Sequence, residues 1–378
     1  MMAAGGANQA KGWEGAMILC FGEIMMRCAT PARLRFRQSL PGTLEAMFGG
    51  GEANVAASLA MLGAPARFVT ALPRNAIGEC VIAALRAMGV DTSKILVTKK
   101  GRVGIYFLET GANQRSSVVV YDRDYSSISL TSPEEYKFEQ ALEGVKWVHL
   151  TGITPALSEA AFQSTLTLAK LARQKGATVS CDLNFRKKLW QWRSGTPATT
   201  LAGECMSALL PFVDVAIGNE EDAKDVFGIE AEGTSVEAGQ INAQAYLQVA
   251  EKLVSRFPTL KKVAITLRES YSADHNNWGA MLYDVPKKTM HLAPRDAQGN
   301  YKPYEIRDIV DRVGGGDSFC AGLIFALSGE TYREPEMALR FAVAASCLKH
   351  SIQGDINCVS EDEVVALMKG SGSGRVRR

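Results

Sequence analysis

No apolar run in this sequence is long enough to span a bilayer, and no two cysteines are spaced as C-x-x-C. The eight cysteines (Cys20, Cys28, Cys80, Cys181, Cys205, Cys320, Cys347 and Cys358) are scattered, and the four histidines (His149, His275, His291 and His350) share no metal-ligand spacing. No zinc site is expected from either set. An excess of one charge is missing as well. Lys and Arg number 42 against 40 Asp and Glu, a formal net charge of +2, so nothing draws the whole chain to nucleic acid or to an acidic membrane. Neither partner is expected. Cys20, Cys181 and Cys320 sit inside apolar runs, where a reduced thiol packs as a small hydrophobe. A reducing, cytoplasmic compartment fits that usage.

What is present describes an ordinary globular protein. With 47% hydrophobic and 22% charged residues, 378 positions suffice for one large α/β domain with an excursion. Residues 1–16 are rich in Gly and Ala and lack the apolar centre of a signal peptide; a disordered leader is expected there, with Met17 an alternative start. Residues 371–378 read as a flexible basic tail. Over 17–370, short β-rich runs alternate with helical periodicity. Strands are expected at 17–21, 67–72, 145–150, 178–183, 213–217 and 263–267, and helices at 52–62, 77–88, 158–175, 220–227 and 243–256. Such βα units predict a doubly wound, mostly parallel sheet flanked by helices on both faces.

Two segments interrupt the alternation. Residues 25–48 carry Arg27, Arg33, Arg35 and Arg37 among turn residues, and residues 101–129 read as a hairpin turning at 110–114. Together they predict a small antiparallel β-sheet at one end of the main sheet. Ligands of open α/β sheets bind at the carboxyl ends of the strands, so a flap there acts as a lid. A peripheral decoration or a dimer contact would use the same segments.

The most informative stretch runs from Asp311 to Gly322. Gly314, Gly315 and Gly316 end in Asp317, and an apolar, helix-like run follows at once. A helix N-terminus offers unpaired N–H groups and a positive dipole end, and glycines let a phosphate approach that backbone. Asp317 beside such a nest suits a base that takes a hydroxyl proton while the glycine amides hold charge on a transferred phosphoryl group. A helix cap after a flexible turn is the plainer use of the same residues.

Three further motifs sit near expected strand ends. Gly49-Gly50-Gly51-Glu52-Ala53-Asn54 is a glycine-rich turn before a helix, without the Lys-Ser/Thr of a Walker loop. It suits close approach of a polyhydroxylated ligand, with Asn54 offering donor and acceptor. Asp182-Leu183-Asn184-Phe185-Arg186 places an amide and a guanidinium where hydroxyls, carboxylates or phosphates are read. Gly218-Asn219-Glu220-Glu221-Asp222 brings an amide and three acids to a strand end, suited to organising Mg²⁺ through water or simply to an acidic first helical turn.

On these residues the chain resembles the ribokinase-like (PfkB) carbohydrate kinases. Gly49-Gly50-x-x-x-Asn54 looks like their N-terminal signature and Asp311–Gly322 like their C-terminal one, and the likeness runs from Met17 to about Leu367. Gly152–Leu157, Asp182–Trp190, Ser351–Asp355 and Tyr121-x-Arg123 followed by the Ser-rich 126–129 look most like members acting on 2-keto-3-deoxygluconate. The resemblance implies an ATP- and Mg²⁺-dependent kinase of that sugar acid, with a kinase of a neutral sugar such as fructose or ribose, or a non-catalytic sugar or nucleotide sensor on the same fold, as the alternatives. Asp317 would be the catalytic base, with the Gly314, Gly315 and Gly316 amides as anion hole. Gly50, Asn54, Tyr106, Tyr121, Arg123, Arg186 and Asp355 would line the sugar-acid site. Asn184, Asn219, Thr266 and Arg268, with Gly314 and Gly316, would face ATP, and Asp222 would reach the metal through water. Arg123 on the lid would supply the cation that a substrate carboxylate needs in a water-poor site. A homo-oligomer formed through the lid is expected from the same likeness.

Three departures from the family pattern stand out. The usual alanine between the glycines before Asp317 is Gly315 here, and the last acid of the Asn219 motif is Asp222 where glutamate is common. Glu269 replaces a glycine after the nucleotide-side strand, and an insertion at 270–277 follows.

Overall fold

The run Met17–Phe21 contains no charged residue and forms a strand buried from Ile18 onward, as expected of a strand covered on both faces. Its side chains divide by alternation. Ile18 and Cys20 enter one hydrophobic core, Leu19 and Phe21 the other. Each fully buried Leu or Ile of this kind contributes about 1.5–3 kcal/mol relative to exposure. The structure, a computed structural model, describes residues 17–219, 221–230 and 243–370. The expected leader (1–16) and tail (371–378), together with Glu220, lie outside the described residues.

Among the described residues the main sheet has nine strands. In spatial order they run Ala66–Val69, Met17–Phe21, Val145–Thr151, Thr178–Asp182, Val215–Asn219, Lys262–Ser272, His275–Asp284 and Thr289–Ala293, with Tyr304–Ile306 pairing a second stretch of His275–Asp284. The first six are parallel and the remainder antiparallel. Helices Gly51–Met61, Gly315–Ser328 and Pro335–Lys349 cover one face, and Glu159–Gln174, Ala198–Leu209 and Ala243–Arg256 the other. The expected helix at 220–227 is observed as Asp222–Phe227.

A separate four-stranded sheet has the order Glu45–Gly49, Met25–Ala29, Gly104–Glu109, Val118–Asp122. The expectation of an antiparallel sheet needs correcting, because Met25–Ala29 pairs with Gly104–Glu109 in parallel. The chain between these two strands passes through Glu45–Gly49 of the small sheet and Ala66–Val69 of the main sheet, so no hairpin joins them. The insertion at 270–277 is likewise not a loop. It extends Lys262–Ser272 and His275–Asp284 into a long hairpin. Its tip reaches the small sheet, where Ala273 N donates to Asn113 O (2.7 Å) and Arg33 Nη1 to Asp274 Oδ2 (2.8 Å).

Candidate active site

A cavity of about 400 Å³ lies between the carboxyl ends of the parallel strands and the small sheet. Every residue singled out from the sequence as a site residue lines it. The small sheet and the residue just after it contribute Tyr106, Tyr121 and Arg123; strand ends and the turns after them contribute Asn184, Arg186, Asn219, Asp222, Thr266 and Arg268. The two glycine turns contribute Gly50, Asn54, Gly314, Gly315, Gly316 and Asp317, and Asp355 closes the ring.

Gly314 takes the left-handed conformation (φ +81°), and a Cβ there would fall 1.8 Å from the Asp355 carbonyl oxygen. Only glycine fits that combination. Helix Gly315–Ser328 starts directly afterwards, while nothing lies within 4 Å of a Cβ built on Gly316. Among the described residues the N–H groups of Gly316 and Asp317 have no protein acceptor, so the helix end presents two donors and its dipole to an anion.

Asp317 is half-buried on the cavity floor. Burial pushes its carboxyl up to about 6, Asp355 adds to that, and Asn54 with the more distant Arg186 and Lys349 works against it. Asn54 Nδ2 donates to Asp317 Oδ2 at 2.7 Å, and Asn54 Oδ1 accepts from Gly50 N at 3.1 Å. The amide is thus oriented by its own turn. Beneath it, Glu52 is fully buried and accepts from Thr151 and Thr154 (2.8 and 2.7 Å). Burial pushes its carboxyl up to about 7, with Asp317 adding to the shift.

Several neighbours are less available than their sequence suggested. Asp355 is buried with both oxygens taken, Oδ1 by Arg27 (2.6 Å) and Oδ2 by the Tyr106 hydroxyl (2.5 Å). Arg27 also holds Asp311 at 2.5 Å, so one buried guanidinium ties the small sheet to both the segment leading into the Gly314 turn and the segment packed on it. Arg123 is buried with Glu23, its Nε 2.9 Å from Glu23 Oε2, and its guanidinium lies 5.3 Å from the Tyr121 ring centroid. A carboxylate arriving at Arg123 meets a neutral pair rather than a bare cation. Arg186 and Arg268 are exposed and make no carboxylate contact among the described residues.

Asn184 sits at φ +37°, a strained conformation for a residue with a side chain, two residues beyond the strand that ends in Asp182. Asp222 uses Oδ1 to accept from Phe185 N (2.9 Å) and Oδ2 from Asn219 N (2.9 Å), which ties two adjacent strand ends together. The Asn219 side chain caps the helix at Asp222 N (3.0 Å). Burial raises the carboxyls of both Asp182 and Asp222, and Asp222 and Asp317 raise Asp182 further. A cation placed beside them would favour their ionised forms. Among the described residues no three His, Cys, Asp or Glu side chains form a metal cage. Asp182 and Asp222 fit contact with a hydrated Mg²⁺ through water.

Glu23, Asp182 and Arg312, to which the sequence reading gave no role, also line the cavity. Glu23 and Asp182 lie at or just after a strand's carboxyl end, which is the signal that could have found them. Arg312 shows itself only through the hairpin, where its Nη2 reaches Ser272 O (3.0 Å) and Asn276 Oδ1 (3.2 Å).

Residues 16–362 match the model of the pfkB family carbohydrate kinases. A solved structure of 2-dehydro-3-deoxygluconokinase from Thermotoga maritima gives a TM-score of 0.84 at 40% identity, covering 95% of this chain and 100% of that one. The 2-dehydro-3-deoxygalactonokinase of Haloferax volcanii is 29% identical over 95% of this chain and 98% of its own length. For the 2-dehydro-3-deoxygluconokinase of Thermoproteus tenax the identity is 28%, over 94% and 95%. The architecture is the ribokinase-like fold, and with the family model spanning nearly the whole chain, the chain belongs to the pfkB family of carbohydrate kinases.

Proposed function

We propose that this protein transfers the γ-phosphoryl group of ATP to the terminal hydroxyl of 2-keto-3-deoxy-D-gluconate. One observation carries the reaction type: the Asp317 carboxyl stands at an open helix N-terminus, oriented by Asn54. At neutral pH Asp317 is mostly ionised and takes the hydroxyl proton. The hydroxyl oxygen forms a bond to the γ-phosphorus, the bond to the bridging oxygen breaks, and ADP leaves. The Gly316 and Asp317 N–H groups, with Gly314 and Gly315 shaping the turn, hold negative charge on the phosphoryl oxygens. Asn184, Asn219, Thr266 and Arg268 face the nucleotide, and Arg186 and Arg312 add positive charge. Asp182 and Asp222 would hold a phosphate-bound Mg²⁺ through water, and the ion would supply charge neutralisation there.

The sugar acid is read by Gly50, Asn54, Tyr106, Tyr121 and the Glu23–Arg123 pair, while Asp355 acts through Tyr106. The small sheet serves as a lid that excludes water. Support for the acid over a neutral sugar comes from the arginines around the cavity and from the names carried by the relatives in Thermotoga maritima and Thermoproteus tenax. The galacto epimer is the second reading, favoured by the Haloferax volcanii relative. A panel of sugars with coupled ADP detection tests both. The expected result is a kcat/KM for the keto-deoxy acid at least 100-fold above that for fructose, on the order of 3 kcal/mol of transition-state discrimination; a preference for fructose would sink the assignment.

A homo-oligomer through the lid is part of the same reading. Val118 and Val120 stand exposed on the lid's edge strand, and light scattering of V118K/V120K against the parent chain tests it. A cytoplasmic location accords with eight unpaired cysteines.

A further inference from the structure

Among the described residues, Lys349 is a buried charge close to the catalytic turn that the mechanism leaves unused. Lys349 ends helix Pro335–Lys349 and is fully buried, yet among the described residues it touches no carboxylate. Its ammonium donates to two backbone carbonyls, Ile352 O at 3.0 Å and Asp311 O at 3.4 Å. These carbonyls belong to the two segments that enclose the catalytic turn. One leads from Asp311 into Gly314; the other runs from Ile352 to Asp355, whose carbonyl packs on Gly314. An ammonium removed from water costs several kcal/mol unless compensated, so an apolar side chain would be the cheaper occupant if filling space were all that mattered.

Burial pushes the Lys349 ammonium below its ordinary range, and the surrounding charges offset part of that. Lys349 is faced by Asp311, Asp355 and Asp317, and by Arg27, which opposes them. Arg27 contacts Asp311 and Asp355 directly; among the described residues Asp317 has no cation in contact. Asp317 in turn is faced by Asp355, Arg186 and Lys349, and its field reaches Glu52 and Asp182. His350, beside Lys349, is held neutral by burial, its pKa lowered to about 4. Lys349 is thus the buried cation acting on Asp317 from the protein side, while Arg186 acts from the exposed side.

We propose that Lys349 is a positioning residue for phosphoryl transfer, its ammonium clamping the 311 and 352 carbonyls around the glycine turn that bears Asp317 and setting a positive charge behind that turn. This rests on the reading of Asp317 as the base. Substitution by glutamine keeps donors for the carbonyls and removes the charge; arginine keeps the charge and alters the fit. In K349Q the acid limb of the kcat–pH profile should move up by about half to one pH unit, with kcat at pH 7 down about tenfold and both KM values within about threefold. In K349R the limb should stay at the wild-type pH. A K349Q profile that superposes on wild type overturns the proposal, as does a K349R limb displaced as far as that of K349Q, which would mean packing and not charge. Should K349Q fail to fold, the K349R limb decides alone, a displaced limb overturning the proposal. The limb is read with whichever sugar the wild type turns over best, so a wrong substrate leaves this test intact. No turnover of any sugar by the wild type overturns the kinase reading, and this role with it.

Discussion

Asn54 Nδ2 lies 2.7 Å from Asp317 Oδ2, joining two glycine turns whose key residues are 263 positions apart. The bond favours the carboxylate form, against burial, which favours the acid. In Asn54→Ala the Asp317 carboxyl should therefore titrate at higher pH. We expect kcat to fall about 100-fold at pH 6 and less at pH 8, a pH-dependent loss that a kcat profile from pH 5 to 9 will register. A loss equal at every pH would mean that Asn54 does not act on Asp317.

The wild-type profile has its own expectation. With the Asp317 carboxyl near 6, kcat should be level above about pH 7 and drop tenfold per pH unit well below 6, because only the ionised form accepts a proton. Asp317→Asn should lower kcat about 10³-fold and leave ATP binding, measured by calorimetry, within a few-fold of wild type.

Glu52 links the site to stability. Its carboxyl is raised in the folded protein to about 7 from an ordinary 4.5, chiefly by burial. The stabilisation that this linkage supplies is complete below the unfolded value and is lost as pH rises through about 7. Glu52→Gln removes the titration. Between pH 5 and 8 the wild type should lose on the order of 3 kcal/mol that the variant does not lose. Denaturation midpoints across that range decide it; parallel pH curves would refute the assignment.

Arg27 carries the heaviest structural charge. Arg27→Met strands Asp311 and Asp355 as buried carboxylates, which should cost about 3–5 kcal/mol in urea unfolding. Adding Asp311→Asn should recover part of that loss, since it removes one of the stranded charges.

Asp274 latches the hairpin tip to the lid through Arg33 (2.8 Å) and Asn113 N (3.2 Å). Asp274→Ala should speed hydrogen exchange at 110–116 and raise the KM for the sugar a few-fold with little change in unfolding midpoint. Unchanged exchange there would show that the lid is held elsewhere.

Much of the site was legible because its chemistry is written in contiguous residues. Gly314 must be glycine for its φ and for the Asp355 carbonyl against it, and Asp317 follows within the same turn. Strands such as Met17–Phe21 are readable because a strand buried on both faces needs an unbroken apolar run. Illegible were the relations that depend on distant chain meeting distant chain. Nothing local announces that Arg27 pairs with Asp311 and Asp355, that Glu23 neutralises Arg123, or that Met25–Ala29 lies parallel to Gly104–Glu109.

The sequence by itself therefore determined the glycine turns, the acid that follows the second of them and the alternation that builds a parallel sheet. Backbone conformation and periodicity are short-range properties that each residue type carries with it. The tertiary structure alone decided which charges are free and which are spent. It left Arg186 and Arg268 exposed, closed Asp355 with Arg27 and Tyr106, and put the Lys349 ammonium behind the catalytic turn. Desolvation and charge pairing arise only when segments hundreds of residues apart are packed together, and those two effects set the protonation of Asp317.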